Sequence, residues 1–253
     1  MALNQRRIKI LEMIKEDGHA KVQTLSQIFG VSEVTIRQDL EALEKMDLVQ
    51  REHGGAFLKD FGNIVRTGKV FNQTHLQEKQ EIAKKAVSLI NEGDVIILDS
   101  GSTTTEVAKL LVGYSELTVI TNAINIASIL GENPGITLIV TGGEFKAPTL
   151  SLTGDIAAKT LKDLHAAKLF LATAGISPTM NLTYPSLSDL IVKKTMIDIS
   201  DKVYLVADSH KVGVSAFATL GPITVVDCLI TDKFITEEDI EQIMEANPKI
   251  EII

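Results

Sequence analysis

A run of hydroxyl side chains in the middle of the chain has the composition of a phosphate-binding turn. The apolar segment Val95–Leu98 is followed by Asp99, by Gly101, and then by Ser102, Thr103, Thr104 and Thr105. This pattern passes from a predicted strand into a predicted helix over Glu106–Leu111. A helix N-terminus offers free N–H groups and partial positive charge, and Gly101 would let a phosphate approach the backbone. An ordinary capped turn explains the same residues almost as well, and without a Walker A lysine a nucleoside triphosphate is not indicated.

A second set of residues, near the N-terminus, has the types that read base edges. Ile36, Leu40 and Leu43 recur at helical spacing and predict the inward face of a helix. The outward residues are then Val34, Thr35, Arg37, Gln38 and Glu41. Glutamine can pair with adenine, and arginine with guanine or phosphate. On spacing alone, a helical protein-interaction module remains an equally good interpretation.

The elements around this helix predict a winged helix-turn-helix over residues 1–58. Apolar positions at helical spacing predict one helix ending at Gly18, another ending at Gly30, and a third that begins after Ser32 as its N-cap. Leu48–Arg51 and Ala56–Leu58 then predict a two-stranded wing. A recognition helix in such a domain enters the major groove of double-stranded DNA.

The remainder of the chain has the pattern of a linker followed by an α/β domain. Residues 59–75 show no sustained periodicity and predict a linker, whereas strands and helices alternate over residues 76–253. The strands are apolar runs of the kind buried on both faces, which predicts a doubly wound, mostly parallel sheet. The predicted strands are Val95–Leu98, Leu117–Ile120, Thr137–Val140, Lys168–Ala172, Val203–Ala207 and Cys228–Thr231.

Charge and cysteine content restrict the classes of function. The net charge is −8, yet residues 1–60 contain 9 basic and 10 acidic side chains and carry only −1 of it. DNA binding therefore requires cations placed on one face, and a homo-oligomer that reads two half-sites is expected. The single cysteine, Cys228, excludes a disulfide or a multi-cysteine zinc site within one chain. With neither an apolar leader nor a credible membrane span, we expect a cytoplasmic protein.

The N-terminal residues resemble the signature of the DeoR family of transcriptional repressors. The resemblance lies in Phe29–Leu40, in Leu43-Glu44 and in Arg51–Ala56. Where the family usually has a second arginine this chain has Gln38, which moves the expected base preference toward adenine. The resemblance implies DNA contacts from Ser32, Val34, Thr35, Arg37, Gln38, Arg51 and His53.

The resemblance continues through the C-terminal half and covers nearly the whole chain. The family's effector domain has a turn similar to Asp99–Thr105, with Ser102 in place of a threonine. Further similar positions occur in the family's order, at predicted carboxyl ends of strands where open α/β sheets bind ligands. The implied effector-binding set is Asp99, Gly101, Ser102, Thr103, Thr104, Thr105, Asn122, Gly142, Gly143, Gly175, Lys193, Asp208 and Lys211. Lysines would complement the phosphate, and Asp99, Asn122 and Asp208 would bond sugar hydroxyls.

The resemblance therefore implies a repressor of a sugar-metabolism operon that a phosphorylated sugar releases from DNA. No catalytic residue, metal or cofactor is implied. The alternative is an enzyme, because the same domain is similar to ribose-5-phosphate isomerase, including the element Ala207–Lys211. Such an enzyme needs a carboxylate base. Its acidic element would fall on Thr173–Ser177, which contains no acid, and its catalytic glutamate on Lys193, although Asp189 and Asp208 remain candidate bases.

Overall fold

The computed structural model describes residues 4–17, 19–52, 54–58, 74–146 and 149–253. The described residues divide into two compact units, one formed by the described residues up to 58 together with Thr149, and one by residues 74 to 146 and 150 to 253. Each unit has an apolar core of its own. We call them the N-terminal unit and the C-terminal unit.

The N-terminal unit is a winged helix-turn-helix, as the sequence predicts. Its elements are α1 Gln5–Asp17, β1 His19–Lys21, α2 Val22–Phe29, α3 Glu33–Lys45, β2 Val49–Glu52 and β3 Gly55–Leu58. Ile10, Leu25 and Leu40 are among the fully buried residues that join the three helices. The strands form an antiparallel sheet in the order β1-β3-β2. Strand β1 is additional to the predicted wing. It was not predicted because its three residues carry no strand pattern.

The C-terminal unit contains a seven-stranded sheet in which all paired strands are parallel. Its strands are β4 Val95–Leu98, β5 Leu117–Thr121, β6 Ile136–Val140, β9 Ala166–Leu171, β12 Ser200–Val206, β14 Cys228–Ile230 and β15 Glu251–Ile252. Their order in the sheet is β15-β14-β12-β9-β4-β5-β6. The predicted doubly wound α/β fold is confirmed.

Helices cover both faces of this sheet. They are α4 Leu76–Val87, α5 Ser102–Leu110, α6 Ile124–Leu130, α7 Gly154–Leu161, α8 Leu187–Asp198 and α9 Glu237–Ala246, with short 3₁₀ helices at Ser209–Lys211 and Ile223–Val225. Side chains from α4, α5 and α6 share one core with Ile96 and Leu98, whereas α7, α8 and α9 share the other with Ile97. In the described part of the chain, no helix has the length and apolar character that a membrane span needs.

Two differences from the predicted layout affect the site. A hairpin of β7 Glu144–Lys146 and β8 Ser151–Thr153, and an antiparallel sheet of β10 Gly175–Ile176, β11 Asn181–Tyr184 and β13 Ala218–Pro222, are additional to the predicted strands. The predicted start of α5 at Glu106 is wrong, because the helix begins at Ser102. Threonine disfavours helix interiors, but here the hydroxyls of Thr104 and Thr105 bond to the carbonyl of Gly101 and stabilise the first turn.

Candidate DNA-reading surface and sensor site

The outward face of α3 carries the residues that the sequence places on DNA. Ser32 is the N-cap of α3, and its Oγ accepts a hydrogen bond of 3.2 Å from the backbone N–H of Thr35. Val34, Arg37 and Gln38 are exposed, and Val34 has 60% of its surface open to solvent. An exposed valine between polar residues is suited to an apolar contact such as the methyl group of thymine.

Cations on α3 and the wing lie beside glutamates. Arg37 Nη2 is 2.6 Å from Glu33 Oε2, one helical turn earlier. Arg51 on β2 is exposed; its Nη1 lies 3.8 Å from Glu44 Oε2, and its backbone N–H donates to Glu44 Oε1 at 2.9 Å. These exposed pairs can open at low energetic cost when a phosphate competes for the arginine. His53 lies outside the described residues.

A cluster of charge beside α3 was not predicted from the sequence. Asp39 is buried, and it accepts hydrogen bonds from Arg6 Nε at 2.5 Å and from Arg7 Nε at 2.8 Å. Burial acts to raise the pKa of Asp39, but the two guanidinium groups outweigh it and the pKa lies below its ordinary value. The sequence does contain a signal for this cluster, because Asp39 adjoins the apolar face of α3. An acidic residue that becomes buried there requires a cationic partner.

The predicted phosphate turn forms the N-terminus of α5. Thr104 Oγ1 donates to the carbonyl of Gly101 at 3.0 Å and Thr105 Oγ1 donates to the same oxygen at 2.6 Å. Thr105 Oγ1 also accepts a hydrogen bond of 2.7 Å from Asn125 Nδ2. These two hydroxyls therefore build the turn. Within the described ranges, the hydroxyls of Ser102 and Thr103 make no hydrogen bond that would compete with a ligand.

Gly101 is required by packing against a neighbouring strand end. Its φ of 173° is extended backbone that any residue adopts. A Cβ atom at this position would lie 2.6 Å from Cβ of Ala172, which follows β9. The side-chain direction at Gly101 therefore faces Ala172, and the approach of a phosphate to this backbone stays a prediction.

Asp99 and Lys193 bond to each other directly beneath this turn. Lys193 Nζ, from α8, lies 2.7 Å from both carboxylate oxygens of Asp99, and both side chains are buried. Asp99 Oδ2 also accepts the backbone N–H of Ala172 at 3.1 Å. Burial raises the pKa of Asp99, and Lys193 opposes that rise. The ring of Tyr184 lies 4.8 Å from Lys193 Nζ. This pairing makes both residues supports of the turn.

Asn122 and three glycines define the neighbouring strand ends. The side-chain amide of Asn122 accepts from the backbone N–H of Ser100 at 3.0 Å and donates to the carbonyl of Leu152 at 3.2 Å, joining the loop after β4 to β8. Gly143 has φ of +129°, and a Cβ there would lie 2.6 Å from a backbone oxygen. A Cβ at Gly175 would also collide with a backbone oxygen, whereas one at Gly142 would meet a side-chain methyl at 3.3 Å.

Asp208 and Lys211 lie on the loop that follows β12. Asp208 is buried, and its Oδ1 has no hydrogen-bond partner among the described residues, although His210 Nδ1 lies 3.6 Å away. Lys211 is half-buried at the end of the short 3₁₀ helix. The ring of His210 stacks on His75, the residue before α4, with centroids 3.7 Å apart. The Asp208–Lys211 element thus contacts the start of the C-terminal unit.

Unsatisfied buried oxygens occur at one edge of the sheet. In the part of the chain that the structure describes, three buried side-chain oxygens have no hydrogen-bond partner, those of Thr141, Asp208 and Thr231. Each follows the carboxyl end of a parallel strand, β6, β12 or β14, within two residues. Buried polar atoms are normally bonded, so such atoms indicate an unfilled partner such as a ligand or water. This is the edge on which α5 begins.

The other candidate base, Asp189, forms an ion pair with a lysine. Asp189 on α8 lies 3.1 Å from Lys146 Nζ on β7. Among the described residues, no group of three histidine, cysteine, aspartate or glutamate side chains is placed to hold a metal ion. The acid-free segment Thr173–Ser177 follows β9 and includes β10.

The fold and the site together define a class of protein. The N-terminal unit is a winged helix-turn-helix with an exposed polar face, and the C-terminal unit is an open α/β sheet with polar groups at its carboxyl edge. This combination is that of a DNA-binding regulator with a ligand-sensing domain. Residues 6–60 match the DeoR-like helix-turn-helix domain, and residues 74–233 match the DeoR C terminal sensor domain. The chain belongs to the DeoR family of transcriptional regulators. This membership confirms the expected regulator and does not favour the enzyme alternative.

Relatives resemble the chain over nearly its full length. The transcriptional regulator GolR of Listeria innocua is 32% identical, with 98% of each chain covered. The glycerol-3-phosphate regulon repressor of Escherichia coli K12 is 30% identical over 92% of each chain. Among solved structures, ribose 5-phosphate isomerase A of Methanocaldococcus jannaschii is 16% identical with a TM-score of 0.42, covering 55% of each chain.

Proposed function

We propose that this protein represses a sugar-metabolism operon by binding a double-stranded operator, and that a phosphorylated sugar releases it. The protein acts in the cytoplasm as a homo-oligomer. The relative named for the glycerol-3-phosphate regulon supports a phosphorylated effector. The observation that carries the sensing role is the pair of unsatisfied buried oxygens of Asp208 and Thr231, which follow the neighbouring strands β12 and β14 at the carboxyl edge of the sheet.

Operator recognition is assigned to α3 and the wing. Val34 and Gln38 are exposed on α3 and face base edges, whereas Arg37 reads guanine or contacts phosphate. Ser32 and Thr35 bond to each other at the N-terminus of α3, where backbone N–H groups favour a phosphate. Arg51 and His53 contact the operator from the wing. Two half-sites read by two copies supply the affinity that a nearly neutral unit lacks.

Effector binding is assigned to the carboxyl edge of the sheet. The phosphate accepts hydrogen bonds from backbone N–H groups at the start of α5 and from Ser102 and Thr103. Lys211 adds positive charge, and the unbonded oxygen of Asp208 accepts a sugar hydroxyl. The remaining assigned residues support this edge rather than contact the ligand: Asp99, Gly101, Thr104, Thr105, Asn122, Gly142, Gly143, Gly175 and Lys193.

The test joins operator binding to a sugar-phosphate screen. The protein first selects a duplex from a random-sequence pool. Its affinity for that duplex is then measured in the presence of aldose and ketose phosphates, with the unphosphorylated sugars and inorganic phosphate as controls. We expect at least one sugar phosphate to raise the melting temperature of the protein and to weaken duplex binding. A protein that selects no duplex, or one that no sugar phosphate releases, would contradict the proposal.

A further inference from the structure

We propose that Arg6 and Arg7, at the start of α1, form a phosphate-binding site for the DNA strand that runs beside α3. This inference rests on the proposed function, because it assumes that α3 enters the major groove. It assigns two DNA contacts outside the helix-turn-helix residues and the wing. The contacts are to backbone phosphate and do not depend on the base sequence.

The geometry starts from Asp39, which holds both arginines. Asp39 is one helical turn after Thr35, so the two residues share a flank of α3 between its core face and its outward face. A helix in the major groove has a phosphate backbone along each flank. Arg6 and Arg7 reach this flank through their Nε atoms, 2.5 and 2.8 Å from Asp39.

Much of each guanidinium group is still available. A guanidinium group has five N–H donors, and each arginine uses only the Nε donor on Asp39. The Nη groups of both arginines make no hydrogen bond with any residue in the described part of the chain. The two side chains remain 33% and 23% exposed. Donors oriented by a buried carboxylate and open to solvent are arranged as in a preformed phosphate site.

The charge balance of this cluster differs from that of the neighbouring ion pairs. Arg37, Lys45 and Arg51 each lie beside one glutamate, so each of those pairs is neutral. Asp39 instead lies between two arginines, and the cluster keeps one positive charge. Asp39 remains ionised because the arginines lower its pKa despite burial. A nearly neutral unit that binds a polyanion needs such a local excess of positive charge.

The experiment measures salt dependence with Arg6→Gln and Arg7→Gln. Glutamine keeps a donor for Asp39 and removes the positive charge. Affinity for the duplex that wild type selects is measured at several salt concentrations. For each phosphate that a variant no longer neutralises, the slope of log affinity against log salt should become shallower by about 0.9. Arg6→Lys and Arg7→Lys keep the charge and should keep the wild-type slope.

Lys159→Gln is the matched control, because it removes one positive charge from an exposed position at the end of α7. It should leave both slope and affinity unchanged. Gln variants that bind more weakly with the wild-type slope would overturn the proposal, since the arginines would then only join α1 to α3. If wild type selects no duplex, the proposed function fails as well, and the two failures are thereby distinguished.

A second measurement uses the wild-type chain and does not depend on the folding of a variant. Phenylglyoxal modifies accessible arginines, and the modified peptides are quantified with and without the selected duplex. We expect bound duplex to slow modification of Arg6 and Arg7 several-fold. Equal rates in the free and bound protein would overturn the proposal.

Discussion

Replacing Lys193 by methionine should destabilise the C-terminal unit strongly, because it leaves the Asp99 carboxylate buried without its cation. Asp99 has no solvent exposure and would keep only its weaker hydrogen-bond partners, such as the backbone N–H of Ala172. Removing one partner of a buried ion pair costs about 3 to 5 kcal/mol. For a unit of this size, that corresponds to a fall in melting temperature of about 6 to 20 °C.

The deficit should depend on pH in a defined direction. Burial raises the pKa of Asp99 in the folded chain, and Lys193 opposes the rise, so the variant should have a still higher pKa. A carboxyl group with a raised folded pKa loses stability as pH increases from about 4, its unfolded value, through the folded pKa. The Lys193→Met variant should therefore approach wild type in acid and differ most at neutral pH.

The assay is urea unfolding followed by tyrosine fluorescence. The chain has no tryptophan, and its three tyrosines, Tyr114, Tyr184 and Tyr204, all lie in the C-terminal unit. The double variant Asp99→Asn with Lys193→Met removes both charges and should recover most of the stability. A single variant within about 1 kcal/mol of wild type at neutral pH, well below the cost expected for a broken buried pair, would contradict the prediction. A deficit that grows in acid would contradict it as well.

Three further predictions concern packing, capping and thiol reactivity. Gly101→Ala should lower the melting temperature by crowding Ala172, at a cost of about 1 to 3 kcal/mol, and Ala172→Gly should restore it; no rescue would contradict the contact. Ser32→Ala should destabilise the N-terminal unit by about 1 kcal/mol, measured by circular dichroism, whereas Ser32→Asn should not. Burial raises the pKa of Cys228 to about 11, so the folded protein should not react with a thiol reagent at neutral pH, and only unfolding should expose it; rapid reaction of the native protein would contradict its burial.

The sequence predicts the main sheet well because its strands are buried on both faces. Segments such as Val95–Leu98 are continuous apolar runs, and six of the seven parallel strands are located in this way. Three of the elements that the sequence does not reveal, β1, β7 and β15, have two or three residues and contain charged side chains. Their positions come from pairing with neighbouring strands, which periodicity in a single sequence does not contain.

The residues of the candidate site are easier to name from sequence than their roles. Asp99 and Lys193 are 94 positions apart, and their mutual ion pair follows from the sheet placing α8 beneath the turn. Thr104 and Thr105 look like ligand donors in a hydroxyl-rich turn, yet their hydroxyls bond to Gly101. Tertiary contacts decide which polar group is used internally and which remains available.

This distinction bears on how the proposed site would tell a sugar phosphate from a bare phosphate. The Asp99–Lys193 pair is neutral and buried, so it contributes little attraction for an anion. In the proposed site, the attraction for an anion is assigned to the N-terminus of α5 and to Lys211. Asp208 repels a phosphate, whereas its unbonded oxygen accepts a hydroxyl hydrogen. On this proposal an anion is favoured at the start of α5 and a hydroxyl group at Asp208, a combination that a phosphorylated sugar satisfies and inorganic phosphate does not.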